Sequence, residues 1–277
     1  MAERDVQSRL WDNRDTRTMW NTIILQPMIN ALLLIYQLLG TGPNTFGWAI
    51  IIFTILVRVI TLPFTYQSMK SSMIMQELQG SKKWKKIQEK YKDDRQKLAE
   101  EQMKLYQEHG YNPFSGCLPT LLNLPIILGL YQAVIRTMAA TPVQLLDLSK
   151  LIYPFTSSSL IPLNSTFFYM NLGQPERLPL PFLEGVSFLS GGLPLLAILV
   201  AVTSYFQSKV TTPTSSDQQG AGMMQMMTIY MPLLMGYFAF AFSSGLALYL
   251  VVSNVLGIVQ GVVTRRLREN ATNATAG

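Results

Sequence analysis

Phe46 to Tyr66, FGWAIIIFTILVRVITLPFTY, is a 21-residue run with one charged side chain, Arg58. A helix rises about 1.5 Å per residue, so the run covers roughly the 30 Å hydrocarbon thickness of a bilayer. Hydrocarbon offers no water to peptide groups, and a segment that crosses it must satisfy them within a helix. Four further stretches are nearly free of charge: Cys117 to Thr137, about Phe188 to Ser208, Met226 to Phe242 and Gly245 to Thr264. That makes five expected spans. Only Ser243, Ser244 and Gly245 or so separate the last two, which forces a tight antiparallel turn.

Composition agrees once the charges are placed. The chain is 49% hydrophobic and 14% charged, with 22 Lys+Arg against 16 Asp+Glu, a net +6 and a pI near 9.4. Disordered chains and polybasic nucleic-acid tails need far more charge and less apolar residue. Residues 67–116 alone hold ten Lys/Arg and seven Asp/Glu, and residues 1–18 hold four of each. Cys117 is the only cysteine and His109 the only histidine, which excludes an intrachain disulfide, a multi-cysteine or histidine zinc site and a histidine triad. No glycine-rich phosphate loop follows a strand-like run. Hydrolase, dehydrogenase and NTPase readings therefore have no residues to stand on, and neither a cofactor nor an enzyme activity is expected.

Lys and Arg accumulate on the cytoplasmic side of membranes. With 67–116 inside, 138–187 faces out carrying Lys150 and Arg177, 209–225 returns inside with Lys209, and the 265–277 tail ends inside with Arg265, Arg266 and Arg268. The alternation puts the amino-terminal tail, 1–19, outside. Trp20 to Leu39 is apolar but interrupted by Asn21, Gln26, Pro27, Asn30 and Gln37, so 20–45 reads as an outer interfacial helix and turn. A sixth crossing is the alternative; no small-residue cleavage site follows Leu39 to suggest a signal peptide. The inner block 67–109 reads as a helical hairpin: Trp84, Ile87 and Tyr91 recur at helical spacing, Asp93 with Gln96 resembles a helix cap, and Leu98 and Leu105 continue the stripe. Its lysines form a solvated face or a surface for lipid headgroups, RNA or a cytosolic partner. Residues 138–187, rich in proline, should form an irregular outer loop.

Arg58 is the anomaly. A central arginine costs about 2.5–3.5 kcal/mol on insertion scales, and no Asp or Glu falls within any of the five spans. Thr54, Arg58, Thr61 and Thr65 follow i, i+4, i+7, i+11, one face of a helix. Tyr249, Ser253, Gly257, Gln260 and Thr264 form a similar stripe on the last span. Thr203, Ser204 and Gln207 cluster on the third, and Thr120, Asn123, Tyr131 and Gln132 are scattered on the second. Together they are candidates to line one hydrophilic cavity. Arg58 lies about 18 Å from the outer end of its span and about 12 Å from the inner end, so the cavity should open inward. The competing reading is that each hydroxyl bonds its own helix backbone or a neighbouring helix.

Three segments, TILVRVITLPFTYQSMKSSMIMQELQ (54–79), NPFSGCLPTLLNLPIILGLYQAV (112–134) and MPLLMGYFAFAFSSGLALYLVVSNVLGIVQ (231–260), resemble the YidC/Oxa/Alb family of membrane protein insertases. The resemblance runs in order from about residue 20 to residue 268. It rests on an intramembrane Arg before Leu-Pro, an NP-x-x-GC-x-P entry to the second span, and SGL-x-LY-x-x-x-SN. It implies an all-α integral membrane protein of the plasma (inner) membrane, with five transmembrane helices around a hydrophilic groove, an outer amphipathic helix and an inner hairpin. The groove it implies is open to cytoplasm and lipid and closed to the outside. Arg58 matches the groove arginine and Thr54 the groove threonine one turn before it. The candidate client-binding set is then Arg58, Thr54, Thr61, Asn123, Tyr131, Gln132, Ser204, Gln207, Tyr249, Ser253 and Gln260.

Asn123 stands where many members carry Gln, and Leu250 replaces the second residue of a Tyr-Tyr pair. The sequence shows no large outer domain before residue 20 and no long basic tail after Arg268, so ribosome docking through such a tail is not expected. The implied partners are newly made membrane protein clients, the Sec translocon, ribosome or signal-recognition components at the 67–109 hairpin, and membrane lipids. The function expected is that of an insertase and folding chaperone, with a transporter as the runner-up and a pure assembly chaperone as a third class. A small-molecule or anion transporter using Arg58 lacks an internal repeat and an acidic coupling residue. An assembly chaperone would act only on helices already inserted.

Overall fold

The structure, a computed structural model, describes residues 18–92, 94–108, 118–138, 141–154, 163–178, 192–211 and 218–276. Within its helices, the side chains of 67–77, 79, 95, 118–123, 218–227 and 267–276 are outside the description. Nine helices and one two-stranded ladder lie among the described residues: α1 (Thr18–Leu39, with a π-helical turn over Asn21–Leu25), α2 (Thr45–Gly80), α3 (Lys82–Lys90), α4 (Arg95–Glu108), α5 (Leu118–Thr137), α6 (Pro142–Ser149), β1 (Thr166–Phe167), β2 (Met170–Asn171), α7 (Leu195–Thr211), α8 (Gln218–Ala241) and α9 (Ser244–Ala276).

Among the described residues, three helical stretches are long and apolar enough to cross a membrane: Thr18–Leu39, Thr45–Tyr66 and Ser244–Arg266. Leu124–Thr137, Leu195–Thr211 and Thr228–Ala241 are shorter apolar helices. The last two coincide with parts of the expected third and fourth spans, and the first with most of the second. Several boundaries differ from expectation for local reasons. Residues 188–191 of the expected third span lie outside the described residues; the described helix begins at Leu195, because Leu193 pairs with Leu178 in a β-bridge and Pro194 suits only a helix start. The helix expected to end at Tyr66 runs on to Gly80, and the last helix runs past Thr264 to Ala276. Thr18–Leu39 reaches spanning length and hydropathy because its apolar residues outweigh the polar interruptions, of which Asn30 is buried.

The chain divides into two compact units. The first comprises 1–56, 123–197 and 238–250. Its core is built by Leu25, Ile29, Leu32 and Leu33 of α1, Phe46 and Ile50 of α2, Leu130 and Val134 of α5, Leu148, Leu172 and Tyr249, all fully buried or nearly so. Buried Asn30 is satisfied three ways: its amide donates to the carbonyls of Gln26 and Leu151 at 2.8 Å each, and its oxygen accepts from the Tyr153 N–H at 2.7 Å. That converts a polar interruption into a strap between α1 and the segment after α6. Gly47 lies so close to the Phe167 ring that a side chain there would collide with it. Buried Glu176 accepts from the Tyr169 hydroxyl at 2.8 Å and the Leu196 N–H at 3.1 Å. Burial, then the Glu176 hydrogen bond and charge, push the Tyr169 phenol up to about 12. Gly192, at φ +102, passes under the Leu178 carbonyl, which a Cβ would meet at 2.8 Å. The turn between α8 and α9 is held by the Ser244 N–H on the Gln174 carbonyl and the Gly245 N–H on that of Leu172.

The second unit comprises 57–122, 198–237 and 251–277. It contains the hairpin, whose arms are α3 and α4. Ser81 stops α2 and caps α3, its hydroxyl accepting from the Trp84 N–H at 3.2 Å. Trp84, Leu98 and Leu105 are buried between the arms, and the Trp84 and Tyr106 rings lie 5.4 Å apart. The cap of α4 is Asp94, accepting from the Lys97 N–H at 3.1 Å, one residue later than the spacing suggested; Asp93 lies outside the described residues. Outward-facing Val59, Ile60, Phe64, Val202, Phe206, Leu233, Tyr237 and Val259 are exposed. Apolar exposure on that scale has no place in water but is what lipid requires.

A polar cluster around Arg58

Within the second unit, α2, α7 and α9 carry polar side chains that meet. Arg58 is half-buried, and its Nη2 donates to the Ser253 carbonyl at 2.6 Å and to Ser253 Oγ at 2.8 Å. Seven residues on, Gln260 Nε2 donates to Thr65 Oγ1 at 2.8 Å. Both bonds span the same sequence separation of 195 residues, so α2 and α9 run parallel here, in constant register over two turns. That is why two stripes of period seven, read separately in the sequence, can face each other.

The α7 side is joined to α9 by Asn254. Its amide donates to Thr203 Oγ1 at 3.1 Å and to Ser204 Oγ at 2.8 Å. Gly257 lies between the two bonded positions of α9 and makes room for both neighbours: a Cβ there would meet Gln207 Nε2 at 2.5 Å and Arg58 Nη2 at 3.3 Å. Thr61 and Thr65 also turn their hydroxyls onto their own helix, Thr61 to the Val57 and Arg58 carbonyls and Thr65 to those of Thr61 and Leu62. Such back-bonding keeps hydroxyl donors satisfied in an apolar surrounding and leaves their oxygens as acceptors.

The structure therefore brings together Arg58, Thr61, Ser204, Gln207, Ser253 and Gln260 of the candidate set within one unit. The others stand in the first unit. Thr54 is buried, donating to the Ile50 carbonyl at 2.7 Å. Tyr131 packs edge-on against Phe242 at 5.0 Å, Gln132 accepts from the Trp20 indole N–H at 2.9 Å, and Tyr249 is buried in the core. Asn123 lies on α5 among residues whose side chains are not described. Asn254 was missed because it sits off the Ser253–Gln260 stripe. The available signal was its being an amide within an apolar span. No group of three or more potential metal-ligating His, Cys, Asp or Glu occurs among the described residues.

Residues 35–271 match the family described as 60Kd inner membrane protein. Membrane protein insertase YidC of Oceanobacillus iheyensis is 33% identical over 255 residues, covering 89% of this chain and 84% of that protein. The chain belongs to the YidC/Oxa/Alb family. Other similar members are membrane protein insertase MisCA of Bacillus subtilis, 31% identical over 89% of this chain and 79% of its own, and the chloroplast inner membrane protein ALBINO3 of Arabidopsis thaliana, 32% identical over 86% and 52%. The chain spans only 38% of the length of the Campylobacter jejuni YidC, to which it is 30% identical. A solved structure described as an active YidC insertase with its first transmembrane domain resolved aligns over 86% of this chain and 45% of its own, at 27% identity and a TM-score of 0.53. As a member of this family with long apolar helices, the chain is an integral inner membrane protein.

Proposed function

We propose that this chain is a membrane protein insertase that receives client segments at the Arg58 cluster and releases them sideways into lipid. The observation that carries the reading is the arginine itself: a half-buried guanidinium on an apolar helix, anchored by Ser253 and bordered by Thr61, Thr65 and Gln260. An arginine at mid-membrane depth costs about 2.5–3.5 kcal/mol. A chain that carries it there, beside a row of hydroxyl and amide groups, keeps a polar foothold inside the hydrocarbon layer. The names of the similar family members support the same reading.

In this mechanism the polar or acidic tail of a client leaves bulk water for the hydrated cluster, drawn by Arg58, so the unfavourable transfer is divided into shorter steps. The client's apolar segment then moves into lipid, where burial is worth about 25 cal/mol per Å2. Client hydrophobicity supplies the driving force, with membrane potential adding about 2.3 kcal/mol per charge per 100 mV. The proposed topology has five spans with the amino terminus outside, 20–39 on the outer surface, and the α3–α4 hairpin and carboxyl terminus in the cytoplasm. Parallel α2 and α9 suit it, since the first and fifth spans of such an alternation point the same way. The exposed lysines of α3 are the proposed face for ribosome, signal-recognition or Sec components.

The test is insertion of a single-spanning client with an acidic tail into vesicles reconstituted with the purified chain. Arg58→Ala is expected to lower the insertion rate at least tenfold and Arg58→Lys to retain most of it. Wild-type rates with Arg58→Ala would show that the cluster does not attract this tail.

A further inference from the structure

Away from the Arg58 cluster, and wholly within the first unit, the end of α5 opens onto a cavity of about 510 Å3. Asn21 of α1, Arg136 of α5, and Gln144, Asp147 and Lys150 of the α6 segment line it over a floor that includes Leu148. Two cations against one carboxylate give it a net positive charge. Asp147 is engaged with Lys150 at 3.2 Å, but both side chains are mostly exposed, so the ammonium keeps donors for a second acceptor. Arg136 is half-buried in the wall and makes no hydrogen bond or ion pair with any described residue. Its guanidinium offers a planar set of donors suited to phosphate oxygens.

The surroundings say what carries that phosphate. On the same short helix, Val143 and Leu146 are 69% and 62% exposed. Exposed Ile135 of α5, with Leu148 and Leu151, lines the cavity itself. One turn before Arg136, the Trp20 indole N–H is bonded to Gln132, an amphipathic ring at the edge of an apolar helix end. Apolar side chains of α5 and of the α6 segment thus line a cationic, amide-bearing cavity. That is the chemistry of a bilayer interface, apolar below and anionic above.

We propose that this cavity binds the phosphodiester headgroup of an anionic phospholipid, with Arg136 and Lys150 on the phosphate and the acyl chains leaving past exposed Ile135. The site is independent of the insertase reading. Bound lipid would tie α6 to the ends of α1 and α5 and hold that face of the first unit at a fixed depth in the membrane.

Native mass spectrometry of the full chain in detergent, titrated with dioleoyl phosphatidylglycerol or dioleoyl phosphatidylcholine, tests it. The anionic lipid should be retained several-fold more strongly. A basic residue near a membrane surface contributes about fivefold in anionic-lipid binding, so Arg136→Gln and Lys150→Gln should each weaken retention by about that factor. Arg136→Lys should retain most of it. Lys150 is exposed, so its replacement reads binding even if Arg136→Gln fails to fold. Arg265→Gln with Arg266→Gln removes two exposed charges elsewhere and should leave retention unchanged. Equal retention of the two lipids, or an equal loss in the Arg265/Arg266 double variant, would overturn the site. Displacement by soluble glycerophosphoglycerol at the concentration of lipid would assign the cavity to a free phosphodiester and overturn the lipid assignment.

Discussion

Asn254→Ala tests whether the polar contacts among the membrane helices hold the second unit together. The amide donates to Thr203 and Ser204 from a position only 8% exposed. Interhelical hydrogen bonds in membranes are worth about 0.6 kcal/mol each on average, so the pair accounts for about 1.2 kcal/mol. The deleted amide takes its own hydrogens away, and the Thr203 hydroxyl still donates to the Leu199 carbonyl at 2.7 Å. Lost packing adds to this, and the expected destabilisation is about 1–3 kcal/mol. A double-mutant cycle separates the two contributions. Equilibrium unfolding in mixed micelles would be measured for Asn254→Ala, for Thr203→Val with Ser204→Ala, and for all three together. The coupling energy should be about 1.2 kcal/mol. A coupling below about 0.3 kcal/mol, within ordinary additivity, would mean that the α7–α9 contact rests on shape alone and that the hydrogen bonds are incidental.

Two further outcomes follow from local geometry. Gly257→Ala should gain about 0.5–1 kcal/mol of helix stability, while Gln207 Nε2 must withdraw from 2.5 Å to ordinary contact and Arg58 is crowded at 3.3 Å; client insertion should fall with the unfolding midpoint unchanged or raised, and undiminished insertion would exclude a role for that spacing. The Lys97 N–H holds the Asp94 carboxyl below its ordinary 3.8. A depressed folded value means the cap contributes above the unfolded value and is lost as pH falls through the folded one, so hydrogen-exchange protection of the Lys97 amide should drop in acid below about pH 4, and at neutral pH in Asp94→Ala. Protection insensitive to both changes would show that Asp94 is not the cap.

Helical periodicity anticipated one part of the site well and another poorly. Arg58 and Thr65 lie seven residues apart on one helix, Ser253 and Gln260 seven apart on another, and the structure pairs them in that order. Period alone told which residues share a face. It could not tell that α2 and α9 are parallel neighbours in register. For Tyr131, Gln132 and Tyr249 the same reasoning selected polar atoms in apolar helices, yet their described contacts are Phe242, Trp20 and burial in the core of the first unit. Thr54, on the Arg58 stripe, closes its hydroxyl on its own backbone. A hydroxyl in an apolar helix has this option at no cost in partners, so its presence in a stripe is weak information about where it points.

The amino-acid sequence alone determined that this chain is helical and built for a bilayer, because charge-free runs of spanning length leave the backbone no other way to satisfy itself. It also singled out Arg58, because a charge in such a run demands polar company. Which groups keep that company was decided only by tertiary structure. Ser253 stands 195 residues away in sequence, and its contact with Arg58 exists because two helices lie side by side in register. Asn30 shows the same division from the other side. As sequence it is a polar break in an apolar run; folded, it is a buried strap whose bonds include partners more than 120 residues away. Local propensity and solvent choose the helices, and packing chooses which of their polar atoms meet.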